Sequence, residues 1–205
     1  MICFQQFKKS YGAAPVIEIA DLTLPTGIYW LKGENGSGKT TVLKCLAGLL
    51  PFNGSIMVAD THLRHKRMKY LRMVNYAEAE PLYPPYLTGN DLFYLYRQTK
   101  GTGKADGADI IEALGVDQYR HQKLGTYSSG MVKKLSLVLA FIGSPKLILL
   151  DEPLITLDVA ATKVIHRIID QYHQQGTAFI LTSHQPLELP RPPNVLEVHH
   201  NTINL

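Results

Sequence analysis

Cysteine is nearly absent. Cys3 and Cys45 are the only two in 205 residues, 42 positions apart and outside any CxxC, so they form neither a disulfide framework nor a zinc-ligand spacing. Long apolar runs are missing as well. The longest, Leu137–Gly143 with its lead-in from Leu135, and Leu147–Leu150, fall far short of the roughly 20 residues that a membrane-spanning helix needs. The opening MICFQQFKKSYG lacks the apolar stretch of about 7–15 residues found in a secretory signal. There is no internal repeat, low-complexity tract or coiled-coil heptad, and charged residues make up only 19%, against a usual quarter or so. These absences exclude disulfide-stapled, fibrous and disordered classes. They predict a soluble protein of a reducing compartment, with any membrane span supplied by another chain.

What is present is a 45% apolar chain of one-domain size, long enough to bury about 70% of its unfolded surface. Lys plus Arg is 21 and Asp plus Glu is 17, a net +4, and the isoelectric point is near 9.0. Such a balance suits nucleotide phosphates, an anionic membrane surface or nucleic acid, and selects none of them.

The pattern is α/β. Ile2–Phe7, Val16–Leu24 and Ile28–Lys32 read as strands, the last after a turn at Pro25-Thr26-Gly27. From Thr40 the period becomes helical, with Leu43, Leu46, Ala47 and Leu50 on one face and Gly48 and Pro51 near its end. Residues 77–89 read as an ordered Pro-, Glu- and Tyr-rich loop. Thr88 and Asp91 then form a helix-capping pair, Gly101–Gly107 a flexible connection, and Ala108–Leu114 a short helix. Ser128 or Ser129 caps a helix with the stripe Met131, Leu135, Val138, Leu139 and Ile142. Leu147–Leu150 and Ala178–Leu181 read as buried strands flanking a helix over Asp158–Gln175, with Val195–Val198 a final strand. The expected organisation is a single domain over 1–205, with 1–76 and 146–205 as catalytic core and 77–145 as a helical insert.

The strongest motif is Gly33-Glu34-Asn35-Gly36-Ser37-Gly38-Lys39-Thr40, a GxxxxGK[ST] loop between a strand and a helix. Its glycines let the backbone wrap so that successive N–H groups face phosphate oxygens, and the following helix adds its positive end. Lys39 supplies a point charge and Thr40 a hydroxyl for Mg²⁺, with Thr41 beside it in the nucleotide-contacting set.

Leu147–Leu150 runs into Asp151 and Glu152, at the strand end where ligands bind in open α/β sheets. Asp151 is the candidate Mg²⁺ holder and Glu152 the candidate base that polarises a water. Ala178–Leu181 leads to Thr182-Ser183-His184, which puts one histidine at the same rim as a γ-phosphate sensor. The other histidines read as ordinary. His62 and His65 sit among Arg64, Lys66, Arg67, Lys69 and Arg72 on a solvated basic face, and His199-His200 on an edge strand.

Gly33–Thr40, Ser128–Met131, Leu147–Glu152, Asp158 and His184 stand in the order and spacing of ABC-type ATPases, and the chain resembles one ABC nucleotide-binding domain over essentially its full length. The resemblance implies a P-loop NTPase core with an N-terminal antiparallel β lobe and a helical insert. Tyr127-Ser128-Ser129-Gly130-Met131 stands where the family carries LSGGQ. This form is similar to the exporter branch, whose ATPases serve separate permease chains; so is the stretch from Pro81. By the resemblance, Ser128, Ser129 and Gly130 grip ATP bound to an opposite subunit, Tyr11 stacks on adenine, and Asp158 touches the partner subunit. One departure stands out: the family's loop glutamine, which touches Mg²⁺ and the permease, falls at Ala79, flanked by Glu78 and Glu80.

The expected activity is ATP hydrolysis coupled to transport, with ATP and Mg²⁺ bound. Two ATPase subunits, either copies of this chain or a pair with a related one, would work beneath a transmembrane permease, as a cytoplasmic protein peripheral on the inner face of the cell membrane. A nucleic-acid or ribosome ATPase of the same superfamily is the rival reading. It draws on the basic cluster but lacks a tandem cassette, a coiled-coil arm or a zinc hook, so nucleic acid is disfavoured as a partner. A P-loop small-molecule kinase would have no use for Tyr127–Met131 together with His184. From the 205-residue length no added regulatory domain is expected.

Overall fold

Leu147–Leu150 and Ala178–Leu181 are buried at every residue, as strands covered on both faces must be. In the computed structural model, which describes residues 1–12, 14–101, 107–199 and 201–204, they form the centre of a parallel sheet. The strands are β1 (Ile2–Tyr11), β2 (Ala14–Leu24), β3 (Ile28–Lys32), β4 (Asn53–Val58), β5 (Thr61–His62), β6 (Val74–Ala77), β7 (Leu147–Leu150), β8 (Ala178–Leu181), β9 (Asn194–His199) and β10 (Thr202–Asn204). The helices are α1 (Lys39–Leu46), α2 (Arg67–Met73), α3 (Gly89–Lys100), α4 (Ala108–Ala113), α5 (Ser129–Ala140) and α6 (Val159–Gln174).

Strands β9, β3, β8, β7 and β6 lie parallel in that order, with β10 antiparallel on the outer side of β9. A second, antiparallel sheet has the order β2-β1-β4-β5. Period-two alternation divides the core between the two faces of the parallel sheet. Tyr29, Leu31, Leu147, Leu149 and Ile180 pack with α1 and with Phe4, Phe7 and Ile17 of the antiparallel lobe. Ile28, Ile148, Leu150, Phe179 and Leu181 pack on the other side with α5 and α6. Helices α3, α4 and α5 lie between β6 and β7 in the chain.

The caps form as the sequence predicts. Thr88 and Asp91 make a reciprocal capping box, Ser128 rather than Ser129 caps α5, and Asp158 caps α6 through the Ala161 N–H at 2.7 Å. Other boundaries differ. Strand β1 continues past Phe7 to Tyr11 because Gln6, at φ 46°, and a register shift carry it through a polar stretch. Helix α1 stops before Leu50 because Gly48, at φ 72°, turns the chain away. The amphipathic stripe on α5 understates its burial, since Lys133, Ser136 and Leu137 are enclosed too. His199 ends β9, which is flanked by β3 and β10 and so is not an edge; His200 lies outside the described residues. So do residues 102–106 of the predicted flexible connection. Strands β4, β5, β6 and β10 and helix α2 have no counterpart in the sequence pattern described above.

Lys100 ends α3 and places its ammonium on the carbonyls of Leu71 and Val74, tying the helical insert to the α2–β6 corner. Burial pulls this ammonium down to about 8. The unfolded chain therefore binds more protons than the native one between about pH 8 and pH 10. The penalty of holding Lys100 charged is full below that window and is relieved as pH rises through it. The stability difference between wild type and Lys100→Met, from urea midpoints, is expected to move toward wild type from about pH 7.5 to pH 9.5. Identical pH slopes would remove this account of Lys100.

Candidate active site

Because β3, β8 and β7 are adjacent and parallel, the segments that follow them meet at one rim. Gly33–Thr40 follows β3, Asp151-Glu152 follows β7, and Thr182-Ser183-His184 follows β8.

The Gly-rich loop is a cradle that depends on its glycines, by backbone conformation at Gly36 and Gly38 and by close approach at Gly33 and Gly38. Gly36 and Gly38 have φ of 80° and 100°, a region that L side chains rarely adopt. A Cβ on Gly33 would fall 2.7 Å from Ser37 Oγ, and one on Gly38 would fall 2.8 Å from Val16 Cγ1. The Lys39 ammonium donates to the Gly33 and Glu34 carbonyls at 2.8 and 2.9 Å, drawing the loop closed. Ser37 Oγ is buried without a hydrogen-bond partner, and α1 begins at Lys39 with its first amides turned to the loop. An orphaned hydroxyl, unpaired helix amides and an ammonium in one small cradle fit a polyphosphate. Asn35 and Gly36 are exposed at the tip, Thr40 is exposed, and Thr41 is half-buried.

Asp151 is buried, and both its oxygens are held. Oδ1 accepts from Thr182 Oγ1 at 2.7 Å and Oδ2 from the Tyr76 hydroxyl at 3.1 Å. Burial, then the nearby Asp151 carboxylate, pushes the Tyr76 phenol well above its ordinary range, so it stays a donor. Thr182 Oγ1 also accepts from the Glu152 amide at 2.9 Å. One hydroxyl thus fixes both acids. Glu152 has φ 45°, a left-handed conformation that costs about 1–3 kcal/mol for a residue other than Gly and clusters at functional sites. Its carboxylate accepts from the His184 amide at 3.3 Å and lies 3.5 Å from His184 Nε2. The Trp30 indole donates to the Ser183 carbonyl at 3.2 Å, which pins the segment carrying His184. A hydroxyl at Thr40 and a carboxylate at Asp151 are hard oxygen donors of the kind Mg²⁺ takes.

The remaining candidates lie around this rim. Tyr11 is 55% exposed at the tip of the β1–β2 hairpin, whose Val16 and Ile17 approach Gly38. The Lys9 ammonium sits 4.6 Å from the Tyr11 ring centroid. Ser128 and Ser129 are exposed at the start of α5, and Gly130 abuts Thr156, where a Cβ would stand 3.2 Å from the carbonyl. Asp158 is bound at 2.8 Å by Lys134, which together with the Ala161 amide lowers its carboxyl from the usual range.

At the departure from the family pattern, the Glu78 carboxylate lies 3.6 Å from Lys44 of α1, and Glu80 is exposed. The carbonyls of Glu78 and Ala79 accept from Lys133 at 2.8 and 3.0 Å. Thr182, Tyr76 and Lys133 are not singled out by sequence pattern. Thr182 opens the Thr182-Ser183-His184 segment after a buried strand, which is the only signal for it; Tyr76 and Lys133 carry none. The basic face is only partly free. Arg64 donates to the Phe52 carbonyl, and Arg67 donates to that of Gly48 at 2.8 Å, while Lys66, Lys69 and Arg72 are exposed.

Comparison with known proteins agrees with this geometry. Residues 18–155 match the ABC transporter family profile. The linearmycin resistance ATP-binding protein LnrL of Bacillus subtilis is 27% identical over 90% of this chain, which spans 61% of that relative's length. The uncharacterized ABC transporter ATP-binding protein YybJ of Bacillus subtilis is 30% identical, covering 99% of this chain and 94% of its own. A solved ATP-binding subunit of an ABC transporter superposes with a TM-score of 0.91 over 100% of this chain and 88% of its own. At 22% identity that likeness shows the fold. Joined to a phosphate cradle, two strand-end acids and a facing histidine, the match identifies the chain as a member of the ABC transporter family, an ATP-binding and ATP-hydrolysing subunit.

Proposed function

We propose that this chain works as one of a pair of ATPase subunits, homodimeric or joined to a related chain, and drives a separate membrane permease from its inner face. Gly33–Lys39 would hold the phosphates of ATP, with Asn35, Gly36, Ser37, Gly38 and Thr41 in the contacting shell and Tyr11 against adenine. Thr40 and Asp151 would hold Mg²⁺, which neutralises phosphate charge when bound. Glu152 would take the proton of the attacking water, and His184, paired with it at 3.5 Å, would orient that carboxylate toward the γ-phosphate. Ser128, Ser129 and Gly130 would close on ATP held by the opposite subunit, with Asp158 beside that contact. The observation that carries the catalytic reading is Thr182, whose hydroxyl binds the Asp151 carboxylate and the Glu152 amide at once, at the strand end beside the Gly-rich loop.

The membrane reading rests on a groove of about 450 Å³ between the core and the helical insert. Leu49, Met68, Leu71, Leu95 and Tyr96 line it, with Arg72 at its edge. Leu49, Met68 and Leu95 are exposed, an unusual apolar concentration for an isolated surface. It adjoins Glu78, beside the loop through which the family meets its permease. Among the described residues no helix is long and apolar enough to cross a membrane, consistent with spans carried by another chain. The signature form and the resistance relative favour export over import. The domain reading, a core over 1–76 and 146–205 with an insert over 77–145, puts this groove at the junction of the two parts.

The test is recovery of a membrane partner with the tagged chain from detergent-solubilised native membranes. Wild type is expected to retain a membrane-spanning protein. Leu49→Glu combined with Leu95→Glu, both at exposed positions, is expected to lower recovery about tenfold or more with ATP affinity unchanged. Full recovery with the double variant would remove the groove as the docking site.

A further inference from the structure

Lys133 is 1% exposed, yet it carries an ammonium. All three of its N–H groups have partners: the carbonyls of Glu78 at 2.8 Å, Ala79 at 3.0 Å and Asp151 at 3.0 Å. These acceptors belong to two segments, the loop after β6 and the end of β7. The donor belongs to a third, α5, five residues beyond Ser128. The next residue, Lys134, reaches Asp158 at 2.8 Å. Two consecutive lysines therefore tie the signature helix to the acidic strand end, to the loop at Ala79 and to the cap of α6.

Stability alone does not account for a lysine here. A methionine would fill similar volume without the desolvation cost of a buried cation. What the ammonium does, and an apolar side chain cannot, is fix three carbonyls at one point. At Ala79 that matters most, because its side chain offers no polar atom, and at this residue the loop can be gripped only by its main chain.

We propose that Lys133 is a positioning residue that sets the Asp151–Glu152 strand end and the 78–79 loop relative to the signature helix. A displacement of α5, when Ser128–Gly130 meet a second subunit, is thereby passed to the catalytic carboxylates. This rests on the assignment of Glu152 as the base. Lys133 is enclosed and spends its three donors on main-chain carbonyls, so its loss acts on turnover and not on ATP capture.

The experiment measures phosphate release at saturating Mg²⁺-ATP, and ATP affinity, for the full chain bearing Lys133→Met. Turnover is expected to fall about 10–100-fold, the scale of an ångström-sized misplacement of reacting groups, with ATP affinity within about twofold. Should that variant fail to fold, Lys133→Gln, which keeps two donors, is expected to show an intermediate turnover and the same retained affinity. Wild-type turnover in whichever variant folds, or turnover and affinity falling together as a packing defect would make them, overturns the proposal. Glu152→Gln, measured alongside, separates the two readings. An inactive Glu152→Gln beside a fully active Lys133→Met removes the Lys133 proposal alone, whereas an active Glu152→Gln removes the catalytic assignment and this proposal with it.

Discussion

Glu152→Gln is expected to cut ATP hydrolysis by about 10²–10³-fold, within the range that a positioned general base contributes, while leaving ATP affinity within about twofold. The backbone gives the reason for the clean separation. Glu152 sits at φ 45°, and its amide is held by Thr182 Oγ1 at 2.9 Å. Gln has the same stem, adopts that conformation at the same cost, and keeps the amide bond. Its side-chain oxygen also accepts from the His184 amide, which reaches the present carboxylate at 3.3 Å. What it lacks is the basicity to take a proton from water. The check is phosphate release beside equilibrium binding of labelled ATP. Hydrolysis at the wild-type rate would take the base role from Glu152.

Lys39→Ala is expected to act one step earlier, on nucleotide capture. A hydrogen bond to a charged group is worth about 1.5–3 kcal/mol, so losing the ammonium should weaken binding roughly 10–150-fold. A second effect adds to it. The Lys39 ammonium also bonds the Gly33 and Glu34 carbonyls at 2.8 and 2.9 Å, so its removal loosens the loop whose amides would face the phosphates. Titration calorimetry with ATP measures the loss. Unchanged affinity would remove the phosphate role of the cradle.

The two variants share a site but differ in how legible that site is in the sequence. Gly33–Thr40 and Asp151-Glu152 are readable because each directly follows an apolar strand, and His184 because it is an ionisable group three residues beyond one; strand ends converge in a parallel sheet whatever lies between them in the chain. Ser128 and Asp158 are readable for another reason: they are helix caps whose partners lie three residues away, Met131 and Ala161. Tyr76, Thr182 and Lys133 act through partners that are distant in the chain. Tyr76 reaches Asp151 across 75 positions, and Thr182 reaches it across 31. Lys133 binds main-chain carbonyls, which carry no residue type to recognise. On periodicity alone Lys133 belongs to the polar side of α5, and only packing against β6 and β7 encloses it.

The same distinction separates the elements of the fold. The buried strands β7 and β8 announce themselves as four consecutive apolar residues. Strand β4, NGSIMV, opens on three small polar or glycine residues and owes its extended form to pairing with β1. Helix α2 reads as a run of cations, and Tyr70, buried with its hydroxyl on the Leu46 carbonyl at 2.8 Å, is what anchors it. The basic cluster illustrates how composition overstates a free surface, since Arg64 and Arg67 spend donors on the carbonyls of Phe52 and Gly48.

The central claim is that the Ser128–Gly130 end of α5, exposed at Ser128 and Ser129, completes an ATP site on another subunit, so that hydrolysis and assembly are one event. Sedimentation velocity of Glu152→Gln tests it most directly, because that variant should bind ATP without consuming it. The account predicts a dimer at saturating Mg²⁺-ATP that returns to monomer without nucleotide, and that fails to form when Ser128→Arg is added. A monomer at saturating Mg²⁺-ATP, or a dimer indifferent to nucleotide, would contradict a composite site between two copies of this chain.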